Sequence, residues 1–147
     1  MKYAIKRISN LNIRALDSLA RDAGSEGYGV VQKAITEWNS GFNRFSKRGE
    51  ILWGVFIGAK CIAIGGLNVD PFAGNPEVGR VRRIYVSRNY RRKGIAKLLL
   101  DRIIKRAKKY FRILRLSTSN PNASNLYKSK GFIEKEGHRQ THVISLG

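Results

Sequence analysis

Acidic residues are scarce in this chain. Its 147 residues include 29 Lys and Arg but only 10 Asp and Glu, which gives a formal net charge of +19. Such a field attracts anions, among them nucleic acids, acidic membrane surfaces and phosphorylated small molecules, but it does not specify a fold. A solvated basic surface without a specific partner explains the same charge equally well.

Cysteine and long apolar segments are also nearly absent. The single cysteine, Cys61, excludes an intramolecular disulfide and is typical of a reducing compartment. No apolar run approaches the ~20 residues that span a bilayer, and the N-terminus lacks the apolar stretch of a signal peptide. No cluster of residues has metal-ligand spacing. We therefore predict a cytoplasmic protein without a metal.

Hydrophobic residues are nevertheless 42% of the chain, enough for the core of one domain over residues 1–147. Their spacing predicts the order β-α-α-β-β-β-α-β-α-β-β. The predicted strands are residues 2–8, 51–57, 61–68, 80–86, 111–117, 132–135 and 142–146. The simplest arrangement is an α/β (α+β) fold with a mixed, mostly antiparallel sheet of six to seven strands flanked by four helices.

Two of the predicted helices show clear apolar stripes. The second helix has its stripe at Val31, Ala34, Ile35, Trp38 and Phe42, and we expect Trp38 and Phe42 to be core residues. The third and longest helix buries the residues Ala96, Leu99, Leu100, Ile103, Ala107 and Tyr110 and carries Lys and Arg on its other face.

A basic turn joins the strand at 80–86 to the longest helix. It consists of Arg91, Arg92, Lys93, Gly94, Ile95 and Ala96. The first N–H groups of a helix have no partner within it and lie at the positive end of its dipole, so they bind anions. Gly94 lets a diphosphate approach the backbone because it has no side chain. The turn has neither the P-loop pattern nor the three-glycine dinucleotide fingerprint, and an ordinary basic helix start is the alternative.

Two motifs resemble those of a known family. The run Val86-x4-Arg91-Arg92-Lys93-Gly94-Ile95-Ala96-x-Leu98-Leu99 resembles the Arg/Gln-x-x-Gly-x-Gly/Ala signature of the GNAT superfamily of N-acetyltransferases. The run Asn120-x-x-Ala123-x-x-Leu126-Tyr127-x-x-x-Gly131-Phe132 is similar to a later motif of the same family. The resemblance covers roughly residues 50–147, and it is only topological for residues 1–49.

The resemblance implies a GNAT-type fold that binds acetyl-CoA as its co-substrate. The pyrophosphate would rest on the backbone N–H groups of residues 91–96. The pantetheine arm would pair with Ile84, Tyr85 and Val86 like an added strand, where this strand and the next splay apart. Asn120 and Asn125 match positions that often touch the cofactor, although a helix cap and a surface residue are their alternative roles.

The same resemblance suggests how the reaction proceeds. It makes Tyr127 the general acid that protonates the departing CoA thiolate, with simple packing as the alternative. Some members place a glutamate base on the preceding strand, but here residues 80–83 read Arg-Val-Arg-Arg. The nearest acids are Glu77, our candidate base, and Asp70, unless the amine releases its proton to solvent.

The acceptor is expected to be a primary amine of a small molecule or a protein. Period-two alternation would bring Arg83, with Val81 and Tyr85, to its pocket and favour an acceptor with an anionic group, unless these arginines are salt-bridged or solvated. The resemblance also places Trp38, Phe42 and Phe45 in the segment that often walls this pocket.

Two other functions stay open at this point. One is a non-catalytic CoA-binding sensor, which the missing strand carboxylate allows. The other is a basic nucleic-acid-binding module, which is not favoured because the chain lacks a recognised motif for it. No membrane partner is expected, and the sequence allows either a monomer or a homodimer.

Overall fold

The computed structural model describes residues 2–147, which form a seven-stranded sheet in the order β1-β2-β3-β4-β5-β7-β6. The strands are β1 (Ala4–Arg7), β2 (Ile51–Ile57), β3 (Lys60–Val69), β4 (Val78–Val86), β5 (Ile113–Leu116), β6 (Ile133–Gly137) and β7 (Gln140–Ser145). The helices are α1 (Leu16–Ser25), α2 (Val30–Ser40), α3 (Ile95–Tyr110) and α4 (Pro121–Ser129). The mixed, mostly antiparallel fold predicted from the sequence is confirmed, with its predicted order of elements.

The helices cover the sheet on both faces. Helices α1 and α2 pack on one face, where Leu16 and Trp38 join the same buried cluster as Tyr85 of β4. Helices α3 and α4 pack on the other face, where Ile103 and Tyr127 share a second cluster. The apolar stripes thus fix which helices lie on which face, and the face of α1 and α2 meets β4 through Tyr85.

Helix α2 ends earlier than its apolar spacing predicts. Gly41 adopts a left-handed conformation (φ 79°), and its N–H donates to the carbonyl of Trp38. The chain therefore turns away before Phe42, whose side chain is 80% exposed. The prediction that Phe42 belongs to the buried stripe is wrong because the helical spacing counts only while the helix continues.

Strands β4 and β5 are the only parallel neighbours in the described sheet, and they pair over a short distance. The paired residues are Val78 with Ile113, Gly79 with Leu114 and Arg80 with Arg115. Beyond Arg80, the rest of β4 has no partner on this side, so the two strands splay apart as predicted. The edge of β4 from residue 81 to residue 86 is open there.

A β-bulge lies in the half of β4 that has no partner on the β5 side. On the β3 side, Gly66 pairs with Arg82 and Ile64 pairs with Tyr85, so two residues of β4 oppose one residue of β3. Arg83, in the bulge, has a positive φ of 59°. The bulge breaks the period-two alternation from which the sequence analysis placed side chains along β4.

Candidate active site

A cleft of about 930 Å³ opens where β4 and β5 separate. The second half of β4, the start of α3, the end of β5 and the inner side of α4 line it. Phe72 from the β3–β4 loop, Arg139 from the β6–β7 turn, and Val30 and Lys33 from α2 complete the wall. The cleft therefore runs from the predicted anion-binding turn to the face of the sheet that α1 and α2 cover.

The turn before α3 has the geometry of an anion site. Gly94 is the N-terminal cap of α3 and adopts a left-handed conformation (φ 79°). The N–H of Leu98 donates to the Gly94 carbonyl, whereas those of Ala96 and Lys97 have no acceptor among residues 2–147. A Cβ at Gly94 would meet nothing within 4 Å, so the space above the turn is open. These free donors fit a pyrophosphate.

The Arg91 side chain is committed to a neighbouring helix rather than free at the mouth of the turn. Its two Nη atoms donate to the Glu26 carboxylate at 2.8 Å and 2.6 Å, and its Nε donates to the Val86 carbonyl. The hydrogen bonds from Arg91, and then that from Tyr85, lower the pKa of Glu26 to about 2. Arg91 thus ties the turn to the end of α1, and Arg92 and Lys93 supply its exposed charge.

Tyr127 lies on α4, is largely buried and lines the cleft. The ring packs edge-on against Phe132 at 5.6 Å and lies 6.1 Å from His142. Burial raises the pKa of Tyr127 to about 12. Because its hydroxyl makes no hydrogen bond within the described part of the chain, its proton is available to a group in the cleft at neutral pH.

The two asparagines of the second motif occupy different places. Asn120 lines the cleft and caps α4, since its side-chain oxygen accepts from the N–H groups of Asn122 and Ala123. Asn125 lies instead in a smaller pocket beside His142. The structure therefore brings Asn120 to the cleft but not Asn125.

The candidate base is not near the cleft. Glu77 is exposed, precedes β4 and lies 3.5 Å from Arg112. It stands seven residues before Ile84, which is roughly 20 Å along an extended strand. The structure thus places Glu77 outside the lining of the cleft, and its position gives no support to the prediction that it is the base.

Asp70 is buried and neutralised rather than poised for catalysis. Burial opposes its ionisation, but hydrogen bonds from Arg115 and Arg80 prevail and hold the pKa of Asp70 below its usual value. Across residues 2–147, no Asp or Glu lines the cleft. The described cleft therefore offers no carboxylate that could act as a base.

The aromatic wall expected for the acceptor is also different. Trp38 is a core residue whose Nε1 donates to Asn10, and Phe45 is likewise buried. Phe42 is exposed, and none of the three lines the cleft. Val30 and Lys33, in the first turn of α2, line the cleft instead of the three aromatic residues that were predicted to do so.

The side chains of β4 also differ from the alternation that was predicted. Arg83 lines the cleft but forms a salt bridge of 2.7 Å with Glu37 of α2. The Tyr85 side chain points under α1, where its hydroxyl lies 2.6 Å from Glu26 and 3.0 Å from Asp22. Of the three residues expected at the acceptor pocket, Arg83 and Val81 reach the cleft and Tyr85 does not.

Several side chains of the cleft were not predicted from the sequence, among them Phe72, Arg82 and Arg139. Phe72 and Arg139 come from turns that the sequence joins to no motif, and they meet because the Arg139 guanidinium lies 4.8 Å from the Phe72 ring centre. Arg82 was set aside in favour of its neighbour Arg83. The run of arginines at residues 80, 82 and 83 was the sequence signal for Arg82.

One cleft joins an open strand edge, a bulge and a helix start whose first N–H groups have no acceptor among residues 2–147. The sequence profile described as the "Acetyltransferase (GNAT) family" matches residues 13–132. The chain therefore belongs to the GNAT acetyltransferase family, as its two motifs predicted, and is an acetyltransferase. Enzymes of this family use acetyl-CoA. Comparison with curated proteins finds no matching sequence.

Solved structures share the fold at low sequence identity. A candidate acetyltransferase from Exiguobacterium sp. 255-15 has a TM-score of 0.82 and 23% identity, covering 99% of this chain and 94% of that one. PaiA N-acetyltransferase from Thermoplasma acidophilum, solved with coenzyme A, has a TM-score of 0.68 and 19% identity, with 97% of each chain covered. The ribosomal-protein-S18-alanine N-acetyltransferase of Escherichia coli has a TM-score of 0.66 and 18% identity, covering 97% and 89%. These likenesses show the fold.

No helix in residues 2–147 is long and apolar enough to cross a membrane.

Proposed function

We propose that this protein transfers the acetyl group of acetyl-CoA to a primary amine by direct attack of the amine on the thioester. The observation that carries the proposal is the continuous cleft. It joins the free N–H groups at the start of α3, the open edge of β4 and the unpaired hydroxyl of Tyr127. These are the three features that a thioester linked to a pyrophosphate requires.

The donor half would be held mainly by backbone. The free N–H groups of the turn at residues 91–96 would bind the pyrophosphate, with Arg92 and Lys93 adding charge. The pantetheine arm would pair with the open edge of β4 at Ile84, Tyr85 and Val86. Asn120 would border the arm from α4, while the position of Asn125 outside the cleft removes support for its role.

The chemical step would need one acid and no carboxylate base. The amine nitrogen forms a bond to the thioester carbon, the carbon–sulfur bond breaks, and Tyr127 gives its proton to the sulfur. A backbone N–H of the splayed strand, from Val86, would stabilise the charge on the carbonyl oxygen. Because no carboxylate of the described residues lines the cleft, the amine would lose its proton to water, and water would return a proton to Tyr127.

We further propose that the acceptor, a small molecule or a protein, carries an anionic group. Eight positively charged residues and no acidic residue line the cleft within the described chain, and the eight are Lys33, Arg80, Arg82, Arg83, Arg91, Arg92, Lys97 and Arg139. We also propose a single domain over residues 1–147. We also propose a cytoplasmic location, because a chain with one cysteine, Cys61, has no intramolecular disulfide and suits a reducing compartment.

Thermal stabilisation by acetyl-CoA, followed by CoA thiol release with a panel of amines, tests the proposed activity. We expect acetyl-CoA to raise the melting temperature and at least one amine to release CoA with a matching acetylated product. Stabilisation without turnover on any amine would favour the CoA-binding sensor, which the absence of a carboxylate in the cleft keeps open. Stabilisation by an oligonucleotide alone would favour the nucleic-acid-binding module.

Gly94→Ala tests whether the phosphates bind at the turn. The new Cβ meets no protein atom within 4 Å, but it would occupy the space through which a diphosphate reaches the N–H groups. We expect CoA affinity, measured by calorimetry, to fall about tenfold, a loss of roughly 1.4 kcal/mol.

Gly58→Ala is the matched control for that substitution. Gly58 lies in the β2–β3 hairpin with a positive φ of 58° and equally open surroundings, so its alanine variant carries a similar backbone strain. We expect it to bind CoA like the wild type. Unchanged affinity in both variants would mean that the phosphates do not lie on the turn at residues 91–96.

The pH dependence of kcat/KM tests the missing base. If water takes the proton, kcat/KM for the acceptor should rise with pH until the acceptor's own amine is deprotonated, and its midpoint should move when amines of different pKa are compared. No fall is expected below about pH 10, because burial keeps Tyr127 protonated with a pKa of about 12. If the rise in kcat/KM had its midpoint at the same pH for all amines, a base on the protein would be taking the proton.

A further inference from the structure

We propose that Arg82, assisted by Arg139 and by the free Nε–H of Arg83, binds the carboxylate or phosphate of a small amine acceptor. This inference rests on the proposed acetyl transfer and names its acceptor class. The acceptor would be a compact molecule in which the amine and the anionic group are only a few bonds apart. A protein N-terminus with a neutral first residue would not satisfy this site.

Arg82 is the uncommitted member of the arginine run on β4. Arg80 is neutralised by Asp70 at 3.1 Å, and Arg83 by Glu37 at 2.7 Å. The Arg82 guanidinium has no hydrogen bond to residues 2–147 and no carboxylate of theirs within 4 Å. A half-buried cation without a counter-ion gains most from an anionic ligand, since water solvates it only in part.

The surroundings of Arg82 strengthen this conclusion. Burial, followed by repulsion from Arg83, lowers the pKa of Arg82, although arginine stays charged at neutral pH. The Arg83 side chain is about nine-tenths buried, and its Nε is a buried donor without an acceptor in the described chain. One anion between these two side chains would give Arg82 a counter-ion and the Nε–H of Arg83 an acceptor.

Arg82 lies on the acceptor side of the sheet. It pairs across the antiparallel ladder with Gly66, where a Cβ would collide with Phe45 in the cluster under α1 and α2. Directly paired residues of antiparallel strands project to the same face, so Arg82 projects to that face as well. The donor half of the cleft, at the start of α3, lies against the opposite face.

Arg139 lines the same cleft as Arg82 and is held beside Arg80 by its own backbone. The Arg139 carbonyl accepts a hydrogen bond of 2.7 Å from Arg80, two residues from Arg82 on β4. The Phe72 ring contacts two guanidinium groups, with its centre 4.8 Å from that of Arg139 and 5.1 Å from that of Arg80. The exposed Arg139 therefore lines the cleft with no carboxylate of residues 2–147 within 4 Å of its guanidinium.

The spacing along β4 limits the size of the acceptor. Arg82 stands two residues before Ile84, where the open edge would hold the thioester arm. The Cα atoms of Arg82 and Ile84 are at most about 7 Å apart, because the bulge at Arg83 only shortens the rise of a regular strand. The amine must reach the thioester while the anion reaches Arg82. Amino acids, and amines with a phosphate or phosphonate two to four bonds away, have this size.

A substrate pair tests the subsite directly. We would measure CoA release with amino acids and aminoalkylphosphonates, each beside its uncharged amide or ester, for the wild type and for Arg82→Ala. Each kcat/KM would be expressed per unprotonated amine, because the amide or ester lowers the pKa of the amine. We expect the wild type to prefer the charged acceptor by roughly 10- to 100-fold in kcat/KM, the range for a hydrogen bond to a charged group. In Arg82→Ala the preference should disappear while kcat/KM for the amide changes less than threefold.

Arg21→Ala is the matched control, because it removes an equal charge from an exposed arginine of α1 outside the cleft. It should keep the preference of the wild type. The proposal is overturned if the charged and uncharged acceptors are equivalent in the wild type, if the preference survives in Arg82→Ala, or if peptides with neutral N-terminal residues are the better acceptors.

A binding measurement separates this proposal from the proposed reaction. With CoA present at saturation, inorganic phosphate should bind the wild type and should bind Arg82→Ala about tenfold more weakly. Phosphate binding that is absent, or that does not depend on Arg82, overturns the subsite. Phosphate binding that depends on Arg82, in a protein that turns over no amine, supports the subsite and contradicts the proposed acetyl transfer.

Discussion

Tyr127→Phe should lower kcat by roughly 100- to 1,000-fold and leave the dissociation constant of acetyl-CoA within about twofold of the wild type. General acid catalysis contributes about 10²–10⁴ to a rate, and the substitution removes only the proton that would go to sulfur. The ring contacts with Phe132 and His142 stay in place. Steady-state thiol release and calorimetry with acetyl-CoA measure the two quantities separately. An effect confined to kcat is that of an interaction made in the transition state.

The hydroxyl of Tyr127 makes no hydrogen bond within residues 2–147, so its loss should change the free energy of unfolding little. Tyr110→Phe is the matched control, because Tyr110 is a half-buried tyrosine at the end of α3 and outside the cleft. It should retain full activity. A loss in Tyr127→Phe of less than threefold would assign Tyr127 to packing and the protonation of sulfur to water.

The donor half of the site is the part that short-range sequence patterns could predict. An anion site at a helix start needs a strand end, a glycine and a few free N–H groups, and all of these lie within residues 84–97. Tyr127 likewise lies seven residues after the cap at Asn120, on a single helix. Residues close in sequence on one element keep their geometry whatever the rest of the chain does.

The acceptor half depends on contacts between distant residues, and there the sequence was a poor guide. Period-two alternation along β4 fails at the bulge that contains Arg83, and a bulge leaves no reliable trace in a single sequence. The salt bridge of Arg83 with Glu37 spans 46 residues, so neither charge reveals its partner. Phe42 was predicted to be buried, but Gly41 ends α2 before it. The sequence does not reveal this end, because a single glycine is also tolerated inside a helix.

Asp70→Asn should be the most destabilising of the substitutions considered, with a loss of about 3–5 kcal/mol in the free energy of unfolding. The Asp70 side chain is fully buried and accepts hydrogen bonds from Arg115 and Arg80, and from the N–H groups of Phe72 and Ala73. The amide would leave two largely buried guanidinium groups without a counter-charge where β4 pairs with β5. Thermal unfolding should show a fall of roughly 10 °C or more in the melting temperature.

Glu77→Gln is the matched control, because Glu77 is exposed at the same end of β4 and pairs with Arg112 only at the surface. It should change the free energy of unfolding by less than about 0.5 kcal/mol and leave kcat unchanged. The pH dependence supplies a second check. Because the folded-state pKa of Asp70 is lowered, its contribution is complete above about pH 4 and is lost as the pH falls through that lowered value. The gap in stability between wild type and Asp70→Asn should therefore narrow in acid, and a gap that stays constant with pH would mean that lost packing, rather than lost charge, destabilises the variant.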